Sequence, residues 1–411
     1  MAVIRPFCAV RPAVEYADKV AALPYDVYNR AEAKKEVERE PLSFLAIDRA
    51  ETQFEDSVSV YAPEVYAKAK ELFEERISQG IFIEDKQSAY YIYQLEMNGR
   101  TQTGIAACAS VDDYLDGTIK KHENTREEKE QDRIRHVDTL SAQTGPIFLA
   151  YRSQATINQL VSKIMETQEP LYDFTAADGI VHRMWKVTEE AVTTLQEAFA
   201  GIQEIYIADG HHRAASAVKV GLKRRKEHPD YDGTEEFNYF LSVLFPDDQL
   251  MIMDYNRCVK DLHGLTKEAF LKAVEECFDV TVLDGAKHPQ AKGQITMYLE
   301  NRWYLLQAKQ ELLAITDPVA ALDVSLLQEY LLKPVLGIED PRTDERIDFI
   351  GGIRGLEELE RRVQTDMTVA FAMYPTSIGE LFAVADAGLL MPPKSTWFEP
   401  KLRSGLLMHR I

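Results

Sequence analysis

The stretch Ile205-Tyr-Ile-Ala-Asp-Gly-His-His-Arg-Ala-Ala-Ser-Ala-Val-Lys-Val-Gly221 constrains this chain more than any other. Ile205 and Ile207 alternate as strand residues do, and Asp209-Gly210 breaks the pattern. Arg213 to Lys219 reads as a helix that Gly221 can cap. A strand running directly into a helix leaves the first helical N–H groups unpaired at the strand's end, where the aligned peptide dipoles favour an anion. Asp209, Gly210, His211, His212 and Arg213 all fall on that junction. A carboxylate there can hold a metal ion, and a guanidinium can pair with phosphate. The plainer account makes Asp209 a helix cap and the histidines packing residues. Two adjacent histidines between an acid and an arginine fit it poorly.

Length and charge narrow the rest. A chain of 411 residues suggests two or three domains. Helices and strands keep exchanging, which predicts a mixed α/β (α+β) fold with a first domain over 1–260 and a second α/β domain over 261–411. A net charge of −20 argues against DNA as a partner, and no helix-turn-helix pattern is present. Cys8, Cys108, Cys258 and Cys277 are far apart with no CxxC pair, as in reduced cytoplasmic proteins. No signal core and no apolar run of about 20 residues appears, so no membrane association is expected. An oligomer is neither required nor excluded.

Further candidates come in chain order. Prolines punctuate residues 1–28, and Leu23-Pro-Tyr-Asp-Val-Tyr28 places Asp26 between two tyrosines in what reads as a fixed, partly buried loop. A carboxylate held there can act as a base or a metal ligand; a turn aspartate bonded to its own backbone is the competing account. Helices are expected over 30–40 and 63–79, and a hairpin turns at Asn98-Gly99. In the polar run 118–138, helical spacing puts His122, Arg126, Lys129 and Arg133 on one face. His122, Glu123, Asn124 and Thr125 mix the chemistries of a phosphate or metal site, although a solvated charged helix is the usual meaning of such a run. Strand Ile147–Tyr151 follows, then a hairpin with a type I′ signal at Asp178-Gly179. A long hairpin pairs Phe237–Phe245 with Leu250–Val259. The chain ends in Met391-Pro-Pro-Lys-Ser-Thr-Trp-Phe-Glu-Pro-Lys401, where Lys394, Ser395, Thr396 and Lys401 suit a rigid phosphate cradle.

Taken together, Arg5-Pro-Phe, Leu23-Pro-Tyr-Asp-Val-Tyr, Lys121-His-Glu-Asn-Thr, Asp209-Gly-His-His-Arg, Phe349-Ile-Gly-Gly and Met391-Pro-Pro-Lys-Ser-Thr resemble the prokaryotic domain-of-unknown-function family numbered ten-fifteen, often labelled SpoOJ/ParA/ParB/repB-like. A weaker resemblance links the Asp209–Arg213 junction to the ParB/sulfiredoxin superfamily, some of whose members are free-serine kinases using ADP or ATP. That resemblance implies a ParB/sulfiredoxin-like core with large insertions. It also implies an N-terminal acidic base and an aspartate and histidine serving metal, phosphate or catalysis. Asp26 matches the first role, with Asp where the kinases carry Glu, and Asp209, His212 and Arg213 match the second.

The resulting expectation is a nucleotide-dependent kinase acting on a small hydroxylated metabolite, free L-serine first. Asp26, Asp209, His211 and His212 would be catalytic, with Asp209 also the Mg²⁺ ligand. Gly210, Arg213, His122, Glu123, Asn124, Thr125, Lys394, Ser395, Thr396 and Lys401 would hold the nucleotide. The alternative is a ParB-like nucleotide-binding regulator without metabolite chemistry. A metal-dependent hydrolase on His122, Glu123, Asp209 and His211 lacks any standard ligand spacing.

Overall fold

The computed structural model describes residues 1–411, which form two compact units: Met1–Leu250 with Pro400–Ile411, and Met251–Glu399. The break lies at 250/251, ten residues before the position expected from the change of rhythm, and the last twelve residues return to the first unit.

The first unit is built on a mixed nine-stranded sheet. Its strands are β1 (Ile4–Arg5), β2 (Tyr91–Met97), β3 (Arg100–Ser110), β4 (Ile119–Lys120), β5 (Ile147–Tyr151), β6 (Tyr172–Thr175), β7 (Val181–Lys186), β8 (Ile205–Asp209) and β9 (Tyr239–Pro246). They lie in the order β4-β8-β5-β9-β3-β2-β7-β6, with β1 on β3. The pairs β8–β4 and β9–β5 are parallel, and the others are antiparallel. Ile147-Phe-Leu-Ala-Tyr151 is buried at every position, as a strand covered on both faces must be. One face packs Ile105, Leu149, Ile205, Ile207, Leu195 and Phe199 into a core with Ala214, Ala217 and Val218 of the helix after β8. Phe44, Ile47, Phe73, Phe82 and Leu140 form a second core. Full burial of each such side chain contributes about 1.5–3 kcal/mol.

A small four-stranded sheet closes the unit. Met408–Arg410 inserts between Ala9–Pro12 and Ala142–Gln143, tying the chain's end to its beginning. The hairpin at Asn98-Gly99 forms with φ of 54° and 76°, both left-handed as a type I′ turn demands. At Asp178-Gly179 only the glycine is left-handed (φ 82°), so that hairpin turns without the type I′ geometry.

The second unit is a six-stranded antiparallel sheet in the order Phe278–Val282, Arg302–Ala308, Gln294–Leu299, Val369–Met373, Tyr255–Val259, Ile347–Gly351. Helix Gly355–Thr365 covers it with Leu356 and Leu359. The long hairpin expected across Pro246–Gln249 does not form. β9 pairs with β5 and β3, while Tyr255–Val259 pairs with Ile347–Gly351 and Val369–Met373. Two buried apolar runs joined by a turn give the same local signal whether they pair with each other or with distant partners, and here the join carries the chain out of the first unit.

Candidate functional site

The junction after β8 is shaped by backbone geometry. The register with β5 shifts between Ile207 and Asp209, a bulge that re-aims the last residue of the strand. Gly210 follows at φ +94°, a left-handed conformation that other residues adopt only with strain. The helix then runs His211–Glu227, about two turns longer than a cap at Gly221 would allow. Gly221 is internal instead: a Cβ there would stand 2.5 Å from the Phe237 carbonyl, so glycine permits close packing. No side chain caps the helix N-terminus, which leaves its first N–H groups to other acceptors.

Two cations meet at Asp209. Arg213 Nη2 lies 3.0 Å from Oδ2, and Lys401 Nζ lies 3.7 Å from Oδ1. Arg213 also donates through Nη1 to the Pro146 carbonyl at 2.5 Å, and it crowds Gly145, where a Cβ would sit 3.6 Å from the guanidinium. The helix end, the guanidinium and the ammonium thus present several donors around the Asp209 carboxylate.

The two histidines separate by environment. His211 is buried and meets the ring of His122 edge-on, with centroids 4.5 Å apart. Its Nε2 accepts from the His122 N–H at 3.4 Å, and its Nδ1 lies 3.9 Å from Glu123 Oε2. Burial, then the neighbouring His122, holds its pKa well below the usual histidine range. His122 is held down to about 4, chiefly by burial. Neither of its ring nitrogens makes a well-formed hydrogen bond, although the Ile207 carbonyl is near enough to oppose the shift. His212 is only half-buried. Its Nε2 accepts from the Arg126 N–H at 2.9 Å, so the neutral ring keeps a proton on Nδ1. Its pKa is lowered by burial and by Lys129, and raised by the charge of Asp26.

Asp26 sits in a 3₁₀ turn, Tyr25–Val27, and is exposed rather than partly buried, while the flanking Tyr25 is half-buried. Two arginines fix that turn. The Arg133 guanidinium lies 4.0 Å over the Tyr25 ring, and Arg49 Nη1 donates to the carbonyls of Tyr25 (3.0 Å) and Tyr28 (2.7 Å). Beside it opens a cleft of about 200 Å³ lined by Tyr25, Asp26, Arg49, Lys129, Asp132 and Arg133. A smaller space of about 30 Å³ shares Tyr25, Asp48, Arg133 and His136 with the cleft and reaches Arg213.

The segment 118–138 is not one helix. β4 and a loop precede the helix Glu127–Leu140, so His122 and Arg126 do not share its face with Lys129 and Arg133. Charge repulsion is not the reason: β4 pairs beside β8, which draws 119–120 into the sheet. Asn124 is exposed, and Thr125 donates to Glu130 at 2.7 Å.

The first unit therefore brings together Asp26, His122 to Thr125, Asp209 to Arg213 and Lys401. Lys394, Ser395 and Thr396 belong to the second unit, where Arg257 donates to the Lys394 carbonyl (3.1 Å) and Ser395 Oγ donates to the Pro392 carbonyl (2.6 Å). Sequence reasoning missed Asp48, Asp132, His136 and Thr144. Asp48 is buried and accepts from Thr144 Oγ1 at 3.0 Å, with His136 Nε2 at 3.8 Å and Arg133 at 4.0 Å. Its one signal was a charge at the end of the apolar run Phe44-Leu-Ala-Ile.

No group of three or more His, Cys, Asp and Glu side chains is arranged to hold a metal ion. With two cations on Asp209, the junction suits the oxygens of a polyphosphate better than a resident metal. No helix is long and apolar enough to cross a membrane.

The chain belongs to the family described as "Protein of unknown function (DUF1015)", whose model matches residues 4–325. No curated protein matches it. Among solved structures it is similar to SbnI with a C-terminal truncation from Staphylococcus aureus, with 12% identity, TM-score 0.39, and coverage of 73% of this chain and 87% of that one. A free serine kinase in complex with AMP is 14% identical, with TM-score 0.34 and coverage of 73% and 91%. A conserved hypothetical protein from Pyrococcus furiosus is 15% identical, with TM-score 0.35 and coverage of 74% and 94%. The family description and the structures named above do not support the ParB or SpoOJ label.

Proposed function

We propose that the protein is a nucleotide-dependent phosphotransferase acting on a small hydroxylated metabolite. The observation that carries this reading is the convergence on one helix N-terminus of Lys401 from the far end of the chain and Asp26, whose charge His212 feels. Phosphoryl transfer asks a protein mainly for positioning and charge neutralisation. In this reading the N–H groups at His211 to Arg213, the Arg213 guanidinium and Lys401 bind the phosphates of ATP or ADP.

The acceptor occupies the cleft beside Asp26, whose volume of about 200 Å³ admits a small metabolite but not a whole nucleotide. Its hydroxyl oxygen attacks the terminal phosphorus, the bond to the nucleotide's bridging oxygen breaks, and the hydroxyl proton passes to Asp26. His212, neutral and carrying its proton on Nδ1, donates a hydrogen bond within the site. His211 and His122 support the junction from the interior. Mg²⁺ arriving on the nucleotide would neutralise phosphate charge, with Asp209 as its candidate protein ligand. The motif resemblance makes free L-serine the first acceptor to try.

The test is a phosphorus-31 NMR screen of ATP and ADP against hydroxylated amino acids, sugars and polyols. The reading expects a new phosphomonoester with at least one acceptor, and its loss in Asp26→Asn. Nucleotide binding with no transfer to any acceptor would favour the regulatory, non-enzymatic alternative.

A further inference from the structure

Two motifs of the second unit, Phe349-Ile-Gly-Gly and Met391-Pro-Pro-Lys-Ser-Thr-Trp, have no part in the proposed reaction, yet the fold brings them to one place. Gly351 packs on the indole of Trp397, where a Cβ would stand 3.0 Å from the ring. Trp397 in turn meets Tyr255 edge-on at 5.1 Å. The Lys394 ammonium lies 5.3 Å from the Tyr255 ring centroid, and the Arg257 guanidinium lies 5.3 Å from that of Phe349.

Arg257 is the unusual member. It is 3% exposed, and its hydrogen bonds go only to the main-chain carbonyls of Tyr255 and Lys394. No carboxylate forms an ion pair with it, and burial pushes its pKa down to about 10. Arg76 is held down equally by burial, but three carbonyls surround it, those of Pro41, Leu42 and Ser43, and Glu75 and Glu40 oppose the shift. An uncompensated buried cation is costly, and folds retain one where something supplies the opposite charge. Lys394 adds an independent sign. It takes φ +58° in a segment stiffened by Pro392 and Pro393, a left-handed conformation that a non-glycine residue holds only with strain. Strain held in a lysine at the end of a rigid turn, beside a buried guanidinium, marks a place where the side chain itself is needed.

We infer that the second unit carries its own oxyanion site, for a phosphate monoester or a carboxylate, formed by Lys394 and the adjoining Ser395-Thr396 segment with Arg257 supplying the buried positive charge. This site is separate from the junction of the first unit and does not depend on the phosphotransferase reading.

The test uses the full chain carrying Arg213→Gln, which weakens anion binding at the junction. Thermal unfolding is followed in millimolar inorganic phosphate, in acetate, and in chloride of equal ionic strength. Phosphate or acetate should raise the melting temperature above chloride, and which one acts tells a phosphate ester from a carboxylate. Lys394→Gly should leave stability in chloride equal or higher, because the strain is gone, while abolishing the anion's increment. Arg257→Met should also abolish it, with little loss in chloride. An increment absent from the parent, or surviving in Lys394→Gly, overturns the proposal. If Arg257→Met fails to fold, Lys394→Gly decides alone.

Discussion

Asp209→Asn is the most informative single change. The carboxylate holds Arg213 at 3.0 Å and Lys401 at 3.7 Å, while its own side chain is 34% exposed. At an effective dielectric constant of about 20, the first contact alone amounts to about 5–6 kcal/mol of gross Coulomb attraction. Solvent screening and the cost of desolvating the ions remove most of that, and Asn keeps a hydrogen-bond acceptor. A net loss of about 1–2 kcal/mol remains. For a unit of this size that lowers the melting temperature by roughly 2–8 °C.

The same change should have the opposite effect on anion binding. With Asp209 neutral, Arg213 and Lys401 lose one negative charge from their surroundings, and metal-free ADP supplies it. ADP should therefore bind Asp209→Asn several-fold more tightly than the parent, read by isothermal titration calorimetry, while phosphate transfer falls at least a hundredfold. Weaker binding of metal-free ADP, or undiminished transfer, would refute the placing of phosphates at these cations.

Other changes test other links. Gly210→Ala places a Cβ at φ +94° and 3.0 Å from the Arg213 guanidinium, so it should cost about 1–2 kcal/mol in urea unfolding; a neutral result would contradict the strain. Arg133→Met removes the cation that stacks on Tyr25 and leaves Asp132 and Asp48 with hydrogen-bond donors but without their guanidinium. About 3–5 kcal/mol should be lost, and in the fraction that folds kcat should fall with ADP affinity unchanged. Burial holds His122 and His136 down to about 4, whereas each protonates near pH 6.5 in the unfolded chain. The unfolded state then binds more protons between those values. Stability should be full above about pH 6.5 and fall toward pH 4, by on the order of 1 kcal/mol per pH unit for each histidine. Urea midpoints that do not move between pH 7 and pH 5 would contradict that burial.

Local signals carried much of this fold. Asn98-Gly99 marked its hairpin because only left-handed residues close a type I′ turn, and the Asp209-Gly210 break marked the strand-to-helix junction for a related reason. Pairing was not legible: the runs flanking Pro246–Gln249 looked like a hairpin but belong to different sheets. The site divides in the same way. Asp209 to Arg213 stood out through contiguous chemistry. Asp48, Asp132 and His136 did not, since each is ordinary in its own segment and gains meaning only where the helix Glu127–Leu140 meets Thr144 and Tyr25. For Lys394 to Thr396, composition gave no sign of which unit would hold them.

The central claim is that the helix N-terminus at Asp209 to Arg213 holds nucleotide phosphates. Its most direct test is the dissociation constant of ADP for the parent and for Arg213→Gln, measured by isothermal titration calorimetry with unfolding curves to confirm that both are folded. Loss of a charge-assisted phosphate contact predicts at least tenfold weaker binding in the variant. Equal affinity in two folded proteins would contradict it.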